Sequence, residues 1–220
     1  MNRFTITAHT GAMNTKHNSL ESIDAAVSCK ADIAEIDVSF RKDGTPVIIH
    51  NSTPCDNEGV LLKDALKQAA KSDNLRLNLD LKAFWNTGAV QNALIEHNLL
   101  KRAFFTGVFT GNVHEVKNGS PLIPYYINVS IDKQKRKNEQ YLSSLAKEIL
   151  SLGAIGLNSH YKNINKDTVK AMHSHNLLVS AWTVNGYFSQ RKLLALGVDN
   201  ITTLRPERLR KLSQSLHKYR

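Results

Sequence analysis

The sequence predicts a (β/α)8 barrel formed by one domain over residues 1–220, and three observations lead there. The length of 220 residues is ordinary for such a barrel built as a single unit. Short apolar or alternating runs recur along the chain, each bounded by turn residues and followed by a stretch with helical spacing, so that eight strands each precede a helix. The polar residues that interrupt these runs collect at their C-terminal ends, where barrels of this class place their chemistry.

The first strand reads from Phe4 to His9, and Asn18-Ser19 opens a capped amphipathic helix. The second strand is Ile33 to Val38. Asp43-Gly44 is a strong turn signal, and Pro46-Val-Ile-Ile-His50 returns as a second short strand that brings His50 near the exit of the first. A polar connection over Asn51–Gly59 leads to a helix from about Leu61 to Lys71. Leu75 to Lys82 alternates strictly, which makes it a strand with Asp80 and Lys82 on one face, and a helix follows from Ala89 to Leu99. Ala103 to Phe109 is a strand, Asn112 to Lys117 a short helix, and Leu122 to Asn128 a strand. Gln134 to Leu152 reads as the longest helix, ended by Gly153. The remaining strands are Ala154–Asn158, Leu177–Val184 and Val198–Thr203. Their helices are Lys166–His175, Tyr187–Leu196 with Gly197 as its stop, and a last one starting near Pro206.

The hydrophobic fraction of 41% is ordinary for a globular chain, and no run approaches the roughly 18 apolar residues of a membrane span. The N-terminus enters a strand within a few residues and shows no export signal, so a cytoplasmic protein is expected. Cys29 and Cys55 have no metal-ligand spacing and read as free thiols. Lys and Arg number 29 against 19 Asp and Glu, a formal charge of +10, which favours anionic partners such as phosphorylated or lipid substrates and weak contact with an anionic membrane surface. Basic clusters at Lys133–Lys137 and Arg205–Arg220 read as exposed helical faces. No zinc, RRM or helix-turn-helix signature accompanies them, and nucleic acid is not expected as a partner.

Glu35 and Asp37 lie two apart in the second strand and so project from one side of the sheet. Spacing alone fits a solvated face equally well. If buried, such a pair costs several kcal/mol unless a proton or a hard cation such as Mg²⁺ or Ca²⁺ relieves it. His9 ends strand one, Asp80 and Lys82 end strand three, Asn158 ends strand six and Trp182 ends strand seven. Either histidine, His9 or His50, reads as structural by itself. Together with three carboxylates and a lysine at one barrel mouth they suggest metal-assisted phosphodiester chemistry, which needs a cation for the phosphate oxygens and an acid/base pair for the two proton transfers.

These residues resemble the motifs of the glycerophosphodiester phosphodiesterase family. The matching segments are His9-Thr10-Gly11, His17-Asn18-Ser19, Glu35-Ile-Asp37-Val38, Lys42-Asp43-Gly44-Thr-Pro46-Val47-Ile-Ile-His50-Asn51 and Asp80-Leu-Lys82, then Trp182-Thr183-Val184-Asn185 and the stretch Gly197 to Pro206. The resemblance implies Glu35, Asp37 and Asp80 as ligands of one divalent ion, Mg²⁺ or Ca²⁺. It implies His9 and His50 as the acid/base pair and Lys82 as a phosphate contact, for which a salt bridge to Asp80 is the competing reading. Trp182 would form part of the substrate wall, or else be a core aromatic, and Asn158 and Asn185 are placed with it as substrate-binding candidates. The implied reaction is hydrolysis of a small-molecule glycerophosphodiester to an alcohol and glycerol 3-phosphate. Thr10, His17, Asn51 and Leu204 depart from the family's arginine, glutamate, aspartate and polar residue, which bears on the substrate rather than the reaction class. Glu35 to Phe40, Pro54-Cys55-Asp56 and Asp80-Leu81-Lys82 are also similar to sphingomyelinase D-like phospholipases. Two alternatives therefore stand beside hydrolysis: formation of a cyclic phosphate from a (lyso)phospholipid, and an inactive barrel that binds an anionic ligand.

Overall fold

The computed structural model describes residues 4–217. Its centre is a closed ring of eight strands: β1 (Thr5–Ala8), β2 (Ile33–Phe40), β3 (Arg76–Leu81), β4 (Ala103–Val108), β5 (Tyr125–Asn128), β6 (Gly156–His160), β7 (Leu178–Trp182) and β8 (Asn200–Thr203). Each is parallel to its neighbours, and β8 pairs with β1 to close the barrel. Around it lie α1 (Leu20–Ser28), α2 (Leu62–Ala70), α3 (Thr87–Glu96), α4 (Val113–Gly119), α5 (Glu139–Ser151), α6 (Lys166–His173), α7 (Tyr187–Leu196) and α8 (Pro206–His217). The expected (β/α)8 architecture is the one observed.

Alternation explains how one strand serves two environments. In β2, Ala34, Ile36, Val38 and Phe40 enter the core shared with the helices, while Ile33, Glu35 and Asp37 have the opposite parity. The helices present matching stripes: Leu62, Ala65, Leu66 and Ala69 are the buried residues of α2, at spacings of three and four. A second, small cluster of Ile33, Phe104 and Tyr126, with Ile155 and Leu178 against it, forms an apolar floor inside the barrel. Above it the inward residues are polar and paired. Thr7 Oγ1 donates to Asn200 Oδ1 at 2.8 Å, Asn200 Nδ2 to Ser180 Oγ at 3.0 Å, and Asn158 Nδ2 to Asn128 Oδ1 at 2.9 Å. Satisfied in this way, these groups avoid the ~1–3 kcal/mol that each unpaired buried polar group would cost.

Strand register sets the mouth. Asp37 stands beside Asp80 and Glu35 beside Asn78 across β2 and β3, and Asp80 stands beside Thr106 across β3 and β4. After β2 the chain makes an excursion: Val38–Phe40 pairs antiparallel with Pro46–Ile48, which pairs in turn with Val60–Leu61. Gly44, at φ 87°, forms the predicted turn. The Arg41 guanidinium ties the base of the excursion, donating to the Glu58 and Gly59 carbonyls at 3.0 and 3.1 Å.

Two sequence expectations change. The helix expected from Gln134 starts at Glu139, because the Asn138 side chain caps it by accepting from Tyr141 N at 2.9 Å and Arg136 is drawn to the Ile131 carbonyl and Asn163. The basic run Lys133–Lys137 is therefore a turn rather than a helical face. In the C-terminal cluster, residues 218–220 lie outside the described part. Within it Arg208 reaches the Asn185 carbonyl and Arg210 reaches Asp32, so these two tie α8 to the barrel instead of standing free. Among the described residues no helix is long and apolar enough to cross a membrane.

Candidate active site

The mouth of the barrel opens into a cleft of about 860 Å³ whose walls include His9, Glu35, Asp37, His50, Asp80 and Lys82. Glu35, Asp37 and Asp80 each offer a carboxylate oxygen, and the three oxygens lie within 4.8 Å of one another. Such closeness among carboxylates of which two are buried is unfavourable unless a cation or a proton intervenes.

Each carboxylate is held differently. Glu35 Oε2 accepts from the Thr10 backbone N–H at 2.8 Å and stands 3.9 Å from His9 Nδ1. Burial, and then the charges of Asp37 and Asp80, push the Glu35 carboxyl well above the usual carboxylate range. Asp37 Oδ2 accepts from Asn18 Nδ2 at 2.8 Å and from His50 Nδ1 at 3.2 Å, while its Oδ1 lies 3.0 Å from Lys82 Nζ. Burial opposes its charge too, but the Lys82 ammonium and the hydrogen bond from Asn18 outweigh it and hold Asp37 below its ordinary value. Asp80 Oδ2 lies 2.5 Å from Lys82 Nζ, and its Oδ1 accepts from Thr106 Oγ1 at 2.7 Å. Burial disfavours the Lys82 ammonium, yet Asp80 and Asp37 raise it above its ordinary pKa. Lys82 thus bridges two of the three acids.

The histidines are oriented through one nitrogen each. His9 Nδ1 lies 2.6 Å from the Thr10 carbonyl, so it carries the proton and leaves Nε2 with a free lone pair. Burial, only partly offset by that carbonyl, pushes the His9 imidazolium below its ordinary value. His50 comes from the excursion, its side chain 80% exposed, and Nδ1 points to Asp37. Its Nε2 is free as well.

Of the other sequence candidates, Trp182 and Asn158 line the same cleft. Asn185 does not: its Oδ1 accepts from Leu204 N at 2.9 Å and from Thr203 Oγ1 at 3.2 Å, which fixes the loop after β7 to the loop after β8. Three residues outside that candidate set belong to the site. Asn18 grips Asp37 twice, by Nδ2 and by accepting the Asp37 N–H at 3.0 Å. That role was masked by its position before a helix, where it reads as a cap, whereas the cap is Ser19. His160 sits at the end of β6 with its ring edge-on to Trp182 at 5.6 Å, and Thr106 holds Asp80 from β4. The tip position of a strand was the available signal for His160; nothing local marked Thr106.

The sequence model described as the Glycerophosphoryl diester phosphodiesterase family matches residues 9–55 and 52–208. The chain belongs to this family. It is a family of phosphoric diester hydrolases. Relatives named glycerophosphodiester phosphodiesterase from Caldanaerobacter subterraneus and Bacillus altitudinis are 23% and 24% identical, over 93% and 96% of this chain and 95% and 98% of theirs. Among solved structures, a phosphodiesterase from Oleispira antarctica in complex with the product sn-glycerol-3-phosphate superposes with a TM-score of 0.78 at 21% identity, covering 96% of both chains. A Silicibacter pomeroyi structure reaches 0.83 at 18% identity, over 98% of this chain and 94% of the other, and both carry the same fold.

The four residues set apart from the family motifs in the sequence, Thr10, His17, Asn51 and Leu204, are not members of the carboxylate, histidine and lysine cluster. Thr10 is buried, and its Oγ1 accepts from Asn18 N at 2.5 Å, which supports the loop that grips Asp37. His17 lines the cleft, lying over Gly11. A Cβ at Gly11, which also has φ 80°, would come 2.7 Å from His17 Nε2. Asn51 accepts from Thr53 N in the exposed excursion, and Leu204 contributes backbone bonds to Asn185 and Met13.

Proposed function

We propose that this chain hydrolyses glycerophosphodiesters to an alcohol and glycerol 3-phosphate, with one divalent cation held by Glu35, Asp37 and Asp80. The observation that carries the reading is the gathering of these three carboxylates with two histidines and a lysine on one cleft. The residues fit a hard cation: every donor is a carboxylate oxygen, as Mg²⁺ or Ca²⁺ prefers, and burial, together with the like charges of Asp37 and Asp80, disfavours the Glu35 carboxylate without one. When bound, such an ion neutralises phosphate oxygens and makes the phosphorus more open to attack.

The protein's own groups account for the proton transfers. His9, held neutral by burial, accepts the proton of the attacking water at Nε2. His50, in its doubly protonated form with Nδ1–H held by Asp37, donates the Nε2 proton to the departing alcohol oxygen. Lys82 adds a fixed positive charge where the transition state gains negative charge. Trp182 and Asn158 contact the substrate from the far wall, while Asn185 shapes the loop beside them. The product held by the Oleispira relative supports glycerol 3-phosphate as the product here.

The test is phosphorus NMR of the products from glycerophosphocholine, glycerophosphoethanolamine and lysophosphatidylcholine in ¹⁸O-water, with and without chelator. Hydrolysis yields singly labelled glycerol 3-phosphate from the two glycerophosphodiesters, or singly labelled lysophosphatidate from lysophosphatidylcholine, and stops with chelator. An unlabelled cyclic phosphate would replace this reading with internal transfer, and no turnover in any metal would leave a binding barrel.

A further inference from the structure

Among the described residues the exposed aromatic side chains stand at the mouth end, whereas the exposed aliphatic Val27, Ile95, Leu122 and Leu150 lie toward the other end. Phe109 follows β4 directly and is 54% exposed, Trp182 ends β7, and Tyr187 and Phe188 open α7 with Phe188 81% exposed. These come from the strand ends of β4 and β7, which flank β5 and β6 in the ring. The loops after β5 and β6 supply exposed lysines instead: Lys133, Lys135, Lys137 and Lys162. One continuous arc of the mouth, opposite the acids of β2 and β3, therefore alternates aromatic and cationic groups.

Charge separates the two ends of the barrel. Outside the catalytic cluster, lysine and arginine outnumber aspartate and glutamate by about two to one in the loops that follow the strands. The loops that precede them are nearly balanced. Among the described residues the acids of the mouth loops are Asp43, Asp56 and Glu58 in the excursion after β2 and Asp132 within the arc, and the first turns of α4, α5 and α6 add Glu115, Glu139 and Asp167 beside it. Exposed aromatics set among lysines are the composition of a surface that enters the headgroup layer of an anionic membrane, where the rings take the apolar boundary and the ammonium groups meet lipid phosphates. A protein partner with an acidic face would explain the lysines but leave the 81% exposed Phe188 without an apolar counterpart on this surface.

We propose that the arc formed by the loops after β4, β5, β6 and β7 docks on an anionic lipid bilayer, with the cleft facing the lipid. The contact is peripheral. It does not depend on the phosphodiesterase reading, because none of Lys133, Lys135, Lys137 and Phe188 lines the cleft.

The chain carries its own probe, since its two tryptophans, Trp85 and Trp182, both stand at the mouth end. Full-length protein is titrated with vesicles of equal parts phosphatidylglycerol and phosphatidylcholine, and separately with pure phosphatidylcholine, following tryptophan emission and co-sedimentation. Docking predicts a blue-shifted emission and sedimentation with the mixed vesicles alone, weakened by salt as the Debye length shortens to about 3 Å at 1 M. Replacing Lys133, Lys135 and Lys137 together by Gln should weaken binding by about a hundredfold, the order expected for three charges at such a surface. Phe188→Ser should weaken it about tenfold for the loss of one buried ring. Both variants should keep the wild-type melting temperature and the turnover of a water-soluble glycerophosphodiester. No binding to the mixed vesicles, equal binding to phosphatidylcholine, or wild-type binding by either variant overturns the proposal. Wild-type protein that binds the mixed vesicles but turns over no glycerophosphodiester counts against the activity reading instead.

Discussion

Lys82 Nζ stands 3.0 Å from Asp37 Oδ1 and 2.5 Å from Asp80 Oδ2, occupying the positive position among acids proposed to take a metal. Removing one member of a fully buried ion pair costs about 3–5 kcal/mol, and the half-buried Lys82 and Asp80 make the cost here smaller, though the acids are still left uncompensated. Lys82→Met should therefore lower the melting temperature of the metal-free protein, and saturating Mg²⁺ or Ca²⁺ should restore it. Turnover should remain lowered by ~10²-fold or more in the presence of metal, since the preorganised positive charge at the phosphate is still missing. Thermal melts and kcat on the same preparations separate the two effects; a variant with wild-type kcat at saturating metal would reduce Lys82 to charge balance. At this scale the sequence was legible where a side chain's position is set by its own strand. Glu35, Asp37, Asp80 and Lys82 reach the cleft through alternation alone. It was not legible for Asn18 and Asn185, whose amides are committed to atoms far along the chain or in another loop. A spacing rule cannot show such partners.

Strand β4 bends at Gly107, where the pairing with β5 shifts register between Phe105 and Val108. Gly107 has φ 75°, and its N–H donates to Asn128 Oδ1 at 3.1 Å. A Cβ here would run into the Leu81 carbonyl and sit 3.0 Å from Asp80 Oδ1, so this glycine allows β4 to lie close enough for Thr106 to hold Asp80. Gly107→Ala should destabilise the protein by more than ~1 kcal/mol and displace Asp80, with loss of metal affinity as well as of melting temperature. Calorimetry of both quantities checks this, and an unchanged affinity for metal would mean that the bulge does not position Asp80. The eight strands and their order were readable because each strand is short, apolar and bounded by turn residues. The bulge was not, since the run Ala103 to Val108 is apolar enough to read as an uninterrupted strand. The start of α5 was missed for a related reason: residues 134–138 have good helical composition, and a cap at Asn138 together with the anchoring of Arg136 decides otherwise.

Over the whole molecule, the barrel gathers acids that the surrounding fold cannot neutralise by itself, and stability should therefore depend on pH and metal together. The Glu35 carboxyl is raised in the folded state, so its contribution favours folding below the ordinary carboxylate pKa and is lost as pH rises through the folded value. Asp37 is lowered, so its contribution is present above the ordinary value and lost as pH falls through the folded one. A divalent ion competes with the Glu35 proton. The rise in melting temperature on adding Mg²⁺ or Ca²⁺ should accordingly be small near pH 4 and grow toward pH 8, as scanning fluorimetry across that range would register; a pH-independent rise would place the ion elsewhere. The location of the mouth was legible from the polar strand ends, whereas the arrangement of aromatics and lysines along the arc from β4 to β7 needed the closed ring to bring distant loops together. The central claim, that Glu35, Asp37 and Asp80 hold the ion on which turnover depends, is tested most directly by calorimetric titration of Mg²⁺ and Ca²⁺ into wild-type protein and Glu35→Gln, with glycerophosphodiester turnover measured on the same samples. The account predicts one bound ion and chelator-sensitive turnover in the wild type, and a folded Glu35→Gln protein that has lost both; wild-type metal affinity and turnover in that variant would contradict it.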